Sequence, residues 1–213
     1  VKSKEWILAG FFAALTVVGT FIRIPFPLVP LTLHVLIVLL AGFLLGARFG
    51  LLSQVIYLLL GLAGLPVFTG GGGIGYVFSP TFGYVLAYPA AAWIVGSLSS
   101  GGERTTVRFF MASLAGISII YLLGASVLYC NLNFLAGKDV GVYQTLKIGV
   151  LPFIVPDLLK GGVASLFALK ILPLLSGEGG RLSKSDDLPA AKKKSGEGVE
   201  AGCGEKDGER IQK

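Results

Sequence analysis

Charged side chains are nearly missing from long stretches of this sequence. Between Ile24 and Gly102 the one charged residue is Arg48, and between Phe109 and Gly137 there is none. Over all 213 residues the charged share is 14%, where a soluble domain carries about 25%. A soluble fold needs polar surface on every element, and these stretches cannot supply it. Cysteine is scarce as well. Cys130 and Cys203 stand far apart, which provides neither a disulfide framework nor a metal-ligand cluster. Histidine occurs once, at His34, and is read as a hydrogen-bonded structural residue ahead of a catalytic base. No carboxylate pair, nucleophile elbow or metal-ligand spacing supports an enzyme. No Gly-Lys-Ser/Thr follows the glycines, so a phosphate-binding loop is missing and the chain is not expected to hydrolyse ATP unaided.

What is present is apolar. Hydrophobic residues make up 54% of the chain and mean hydropathy is +0.79. A helical span needs about 20 apolar residues, and backbone groups in lipid must be satisfied internally. The runs are continuous rather than alternating, which favours helices over a membrane barrel. They cover Trp6 to Ile22, Leu31 to Leu45, Leu51 to Leu62, a stretch ending near Val95, Phe109 to Tyr129, and Leu146 to Leu175. Six spans is the count these runs give, with five or seven as alternatives. Pro25, Pro27 and Pro30 form a stiff connector after the first run. Gly46 to Gly50 reads as a tight turn, Gly96 to Arg108 as a polar turn, and Asn131 to Gln144 as a longer loop.

The net charge of +6 is placed like topology information, not like a nucleic-acid surface. With the N-terminus inside, Lys2, Lys4, Arg48, Arg104, Arg108 and the basic tail share one side, leaving Arg23, Lys138 and Lys147 outside. That asymmetry predicts both termini in the cytoplasm. Residues 1–175 are therefore expected to form a transmembrane domain. From Ser176 to the end the composition turns to Gly, Ser, Lys, Glu and Asp, a cytoplasmic tail that cannot offset its ordering entropy. Lys192 to Lys194 reads as a solvated run or a contact with anionic lipid.

Asp157 and Lys160 interrupt the last run. Each charge costs roughly 2.5–3.5 kcal/mol at a helix centre, and the i, i+3 spacing puts both on one face. Two readings stand: a self-neutralising pair near a helix end, or a ligand site in which Lys160 meets an anion and Asp157 accepts from N–H donors. The run Gly70, Gly71, Gly72, Gly73 and Gly75 reads as a floppy linker or, bracketed by Phe68, Ile74, Tyr76 and Phe78, as a lid over an apolar pocket. Ala9-x-x-x-Ala13, shadowed by Gly10-x-x-x-Ala14, is a small-residue face for close helix approach, within the bundle or against a partner.

Several segments in order resemble the BioY family, the biotin-binding S components of energy-coupling factor (ECF) transporters. They are Ile24 to Leu33, Leu40 to Gly50, Gly61 to Phe68, the glycine run, Ser79 to Tyr84, and Gly149 to Lys160. The resemblance covers about residues 6 to 175. It implies an all-α integral membrane protein, a six-transmembrane-helix bundle with a loop-capped ligand pocket on the extracellular side. Asp157 and Lys160 match a family Asp-x-x-Lys that contacts biotin. Phe68, Gly70, Gly71, Gly72, Gly73 and Tyr84 match the capping and pocket positions. Ala9 and Ala13 match the face on which the transmembrane coupling protein docks. Two ATPase subunits complete such a transporter and use the ATP, this chain holding no cofactor. Two positions depart from the pattern: His34 stands where glutamine is common, and Val85 where some members place arginine. From the residues alone, an S component for another small vitamin and a stand-alone proton-coupled carrier remain open.

Overall fold

The computed structural model describes residues 2–24, 29, 31–101 and 104–175. The proline connector at 25–28 and 30, the tail from 176 and Cys203 lie outside the described residues. The elements are α1 (Lys2–Phe21), the strands β1 (Arg23–Ile24) and β2 (Leu31–Thr32), α2 (His34–Leu62), α3 (Phe82–Ser99), α4 (Thr106–Cys130), α5 (Val142–Gly149) and α6 (Leu151–Leu175). β1 and β2 pair antiparallel, with Arg23 opposite Thr32 and Ile24 opposite Leu31.

α2 is not one rod. Gly46 adopts φ 74°, ψ −178° inside it, a backbone setting open to glycine and closed to other L-residues. The chain doubles back there. A Cβ on Gly50 would lie 3.1 Å from the Ala41 carbonyl oxygen, and Tyr57 Oη lies 3.1 Å from His34 Nε2. A continuous helix would hold that last pair about 35 Å apart at 1.5 Å per residue. Among the described residues five helices are long and apolar enough to cross a bilayer, α2 counting once among them. Since α2 holds two antiparallel arms, 34–45 and 47–62, six helical segments run along the bundle.

Glycine lets these segments meet closely. A Cβ on Gly96 would sit 2.3 Å from the Ala47 nitrogen and 2.5 Å from the Gly46 carbonyl carbon. Gly96 therefore belongs inside α3, packed on the α2 hairpin, and not to the polar turn expected from it onward. Gly42, in turn, presses on Val95 and the Ala92 carbonyl. The core between them holds Val38, Leu39, Phe43, Ala91, Val95, Phe109 and Ile120, with Phe43 and Phe109 stacked at 4.9 Å. Outward faces are apolar instead: Ile7, Phe11 and Val18 on α1, and Val155, Leu159, Val163 and Leu166 on α6, are exposed. This inside-out distribution suits lipid, and the chain is a multi-pass membrane protein.

The last apolar run also divides. Its expected loop at 131–144 holds a π-helical turn, Asn131–Leu135, and the first residues of the short helix α5. Val150, at φ −123° and ψ −52°, separates α5 from α6. Pro152 sits in the first turn of α6, where its missing N–H costs nothing, while Pro156 lies inside the helix.

The charges sort to two ends as the turns require. Trp6 meets Phe49 edge-on at 6.1 Å, and one cavity is walled by Phe43, Ser99, Ser100, Arg104, Phe109 and Leu172. Lys4, Arg48, Arg104 and Arg108 thus share one end of the bundle. Arg23, Lys138 and Lys147 belong to the other.

Gly96→Val should lower the unfolding temperature of the detergent-purified protein, because overpacking against backbone costs about 1–3 kcal/mol. Gly10→Val should leave that temperature unchanged, since a Cβ added at Gly10 would meet nothing within 4 Å. Thermal unfolding followed by intrinsic fluorescence checks both.

Candidate ligand site

The charged pair comes from the first half of α6. One helical turn carries Lys160 Nζ to 2.7 Å from Asp157 Oδ1. The other carboxylate oxygen, Oδ2, accepts from the Tyr121 hydroxyl on α4 at 2.7 Å. Lys160 also donates to the Thr32 carbonyl of β2 at 2.7 Å. Asp157 is buried at 3% exposure. Each carboxylate oxygen accepts one of these bonds and has room for another, and two of the three ammonium protons have acceptors. The pair closes on itself, as one reading expected, and it also faces a cavity, as the other did.

That cavity measures ≈ 40 Å³ and is lined by Val29, Leu31, Thr32, Val35, Tyr84, Tyr88, Ile120, Tyr121, Phe153, Asp157 and Lys160. A neighbouring one of ≈ 30 Å³ adds His34, Thr69, Thr81 and Val85, and shares Val29, Thr32, Tyr84 and Tyr88 with the first. Both lie beneath the β1/β2 pair and the loop that follows α2. Among the described lining residues Lys160 is the one lysine or arginine, Val85 being neither.

Tyr84 joins the site with its ring. Its hydroxyl is spent on the Gly149 carbonyl at 2.8 Å, and its ring fills the space that a Cβ on Gly124 would need. His34 is structural, as expected of a lone buried histidine. Nδ1 meets Thr32 Oγ1 at 3.0 Å and Nε2 meets Tyr57 Oη. Thr20 and Tyr57 both donate to the Val67 carbonyl, at 2.9 and 3.1 Å. This buried network fixes β2 and the end of α2 to α1.

The glycine loop is ordered by hydrogen bonds, not a floppy linker. The Gly73 N–H donates to the Gly61 carbonyl at 2.7 Å, and a Cβ on Gly72 would strike the Leu65 carbonyl oxygen at 2.0 Å. Gly71 and Gly73 hold positive φ. Phe68 packs edge-on against Tyr57 at 5.5 Å and lies 4.6 Å from Tyr76. Phe68, Gly70, Gly71, Gly72 and Gly73 line neither cavity. Their geometry instead folds the loop onto α2 and brings Thr69 to the second cavity, while Arg23 donates to the Thr69 carbonyl. Of the four bracketing residues, Tyr76 is buried alongside Phe68, but Ile74 and Phe78 are exposed.

Ala9 and Ala13 follow the reading that places them within the bundle. They are 0% and 1% exposed, turned into the chain's own bundle, so in this structure they offer no surface to a partner. The shadowing Gly10 and Ala14 are the exposed small pair.

Several site residues carried no sequence signal. Tyr121 stands 36 residues from Asp157 and Thr32 stands 128 from Lys160, in runs that read only as apolar spans. Tyr88 did carry one: it follows Tyr84 by four residues and so shares its helix face.

Relatives place this geometry. Residues 1–177 match the BioY family. A probable biotin transporter BioY from Lysinibacillus sphaericus is 42% identical over 166 residues, 78% of this chain and 85% of that protein. Another from Pyrococcus horikoshii is 42% identical over 172 residues, 80% and 98% of the two chains. A 2.1 Å crystal structure of the S-component for biotin from an ECF-type ABC transporter matches with a TM-score of 0.67 at 26% identity, over 80% of this chain and 91% of that one. The family match spans every helix described above, and the chain belongs to the BioY family.

Proposed function

We propose that this chain is a biotin-capturing S component, and that the cleft around Asp157 and Lys160 holds the vitamin. The observation that carries the reading is a buried, hydrogen-bonded ion pair facing an aromatic-walled cavity in a BioY-family bundle. Biotin offers a carboxylate, two ureido N–H donors, a carbonyl and an apolar bicyclic body. Lys160 pairs with the carboxylate or the ureido carbonyl, Asp157 accepts a ureido N–H, and Tyr84, Ile120 and Phe153 enclose the apolar body.

The cavities of ≈ 40 and ≈ 30 Å³ are far below the roughly 300 Å³ at the small end of ligand pockets. Capture therefore requires the overlying segments to move. The Lys160 bond to the Thr32 carbonyl is the contact that a ligand carboxylate or carbonyl replaces, since both present an oxygen acceptor to the same ammonium. The loop shaped by Gly70 to Gly73 closes above, with the site end of the bundle outside the cell and both termini in the cytoplasm. Inward delivery then depends on a transmembrane coupling protein and two ATPase subunits, which supply the ATP hydrolysis this chain's sequence does not encode.

Titration of the purified protein with labelled biotin should give sub-micromolar binding, with other small vitamins unable to compete. Asp157→Asn and Lys160→Ala should each weaken binding about 10- to 100-fold, the range for losing a charged hydrogen bond. Both should still be recovered as folded monodisperse protein. Normal affinity in either variant would make the pair purely structural. Biotin uptake by cells should require the ATPase partners; uptake driven by a proton gradient without them would favour the carrier reading.

A further inference from the structure

Three tyrosines, Tyr84, Tyr88 and Tyr121, line the larger cavity. Two of them have spent their hydroxyl protons, Tyr84 on the Gly149 carbonyl and Tyr121 on Asp157 Oδ2. The Tyr88 hydroxyl makes no hydrogen bond among the described residues, although the side chain is only 5% exposed. Its ring is held firmly, 5.4 Å from His34 and 6.5 Å from Tyr57. Among the described residues, every sealed side-chain nitrogen or oxygen has a partner. The Tyr88 oxygen is therefore not sealed, and its side chain lines both cavities. An unsatisfied hydroxyl in an apolar bundle is costly to keep.

We infer that Tyr88 is a ligand-contacting residue whose hydroxyl donates to the carbonyl oxygen of the ligand's cyclic urea. The inference rests on the biotin reading of the site and adds a donor to the urea oxygen, which can accept more than one hydrogen bond. Asp157, an acceptor only, takes a ureido N–H, and Lys160 beside it meets the carboxylate or the urea oxygen. With two lone pairs the urea oxygen has room for a neutral donor as well, and Tyr88 is the lining tyrosine whose proton remains uncommitted. Because Tyr88 of α3 lines both cavities, the ligand ring would lie across the boundary they share at Val29, Thr32 and Tyr84.

Tyr88→Phe removes that hydroxyl and keeps the ring packing. Biotin affinity should fall roughly 5- to 15-fold, the worth of a neutral hydrogen bond, while the unfolding temperature of the ligand-free protein stays unchanged. The thiourea analogue of biotin, in which a poorly accepting sulfur replaces the urea oxygen, should bind wild type and Tyr88→Phe equally well. Equal affinity of both proteins for biotin would overturn the inference alone. So would an equal loss for both ligands, or a clearly lower unfolding temperature without ligand, which would mark the hydroxyl as structural. A wild-type protein that binds no biotin would overturn the functional reading and this inference with it.

Discussion

Lys160 and Asp157 carry opposite charges within an apolar bundle, and either charge alone would be costly there. A single uncompensated charge in a transmembrane helix costs several kcal/mol. At 2.7 Å each neutralises the other, and the remaining hydrogen-bonding capacity is directed outward to two other elements. Tyr121 ties the carboxylate to α4, and the ammonium holds the Thr32 carbonyl of β2. Helix α6, helix α4 and the segment leading into α2 therefore meet at one electrostatic knot. From Thr32 the connection continues through His34 to Thr20 and Tyr57, so the same knot borders a polar network binding α1 to both arms of α2.

The rest of the bundle is arranged around that knot. Gly46 reverses α2 at the opposite end, so His34 and Tyr57 are brought side by side next to β2. Gly42 and Gly96 remove the side chains that would hold α2 and α3 apart. Pro156 precedes Asp157 by one residue and interrupts the helical hydrogen-bond ladder where the charge is placed. The loop after α2 folds back over its own helix end through Gly72 and Gly73, which leaves Thr69 and Tyr76, not the glycines, above the polar residues. A rigid hairpin below and short hydrogen-bonded segments above give a site whose floor is fixed and whose cover is made of separable contacts.

Much of this was legible in the sequence because lipid imposes simple rules. A charge-free stretch from Ile24 to Gly102 with Arg48 as its sole exception had to be membrane-embedded, and Asp157 and Lys160 stood out against that background. Gly46 was readable as a turn because a short apolar run on either side left room for nothing longer. Tertiary geometry was not readable. Ala9 and Ala13 carry the same spacing whether they face a partner or their own bundle, and only packing on α2 distinguishes the two. The division of residues 142–175 into α5 and α6 depends on a backbone break at Val150, a residue with no turn chemistry. Tyr121 looked like an ordinary aromatic in a span, since nothing local records that it reaches Asp157, and the spacing that puts Tyr88 on the face of Tyr84 does not record that its hydroxyl stays uncommitted.

The central claim is that Asp157 and Lys160 stabilise the bundle by mutual neutralisation and not by independent contributions. Unfolding temperatures of Asp157→Asn, Lys160→Met and the double variant test it in one experiment, in detergent and without ligand. Removing one partner of a buried pair costs about 3–5 kcal/mol, whereas replacing both is far cheaper. The account predicts that the double variant unfolds at a higher temperature than either single variant. A double variant whose loss equals the sum of the two single losses would contradict it.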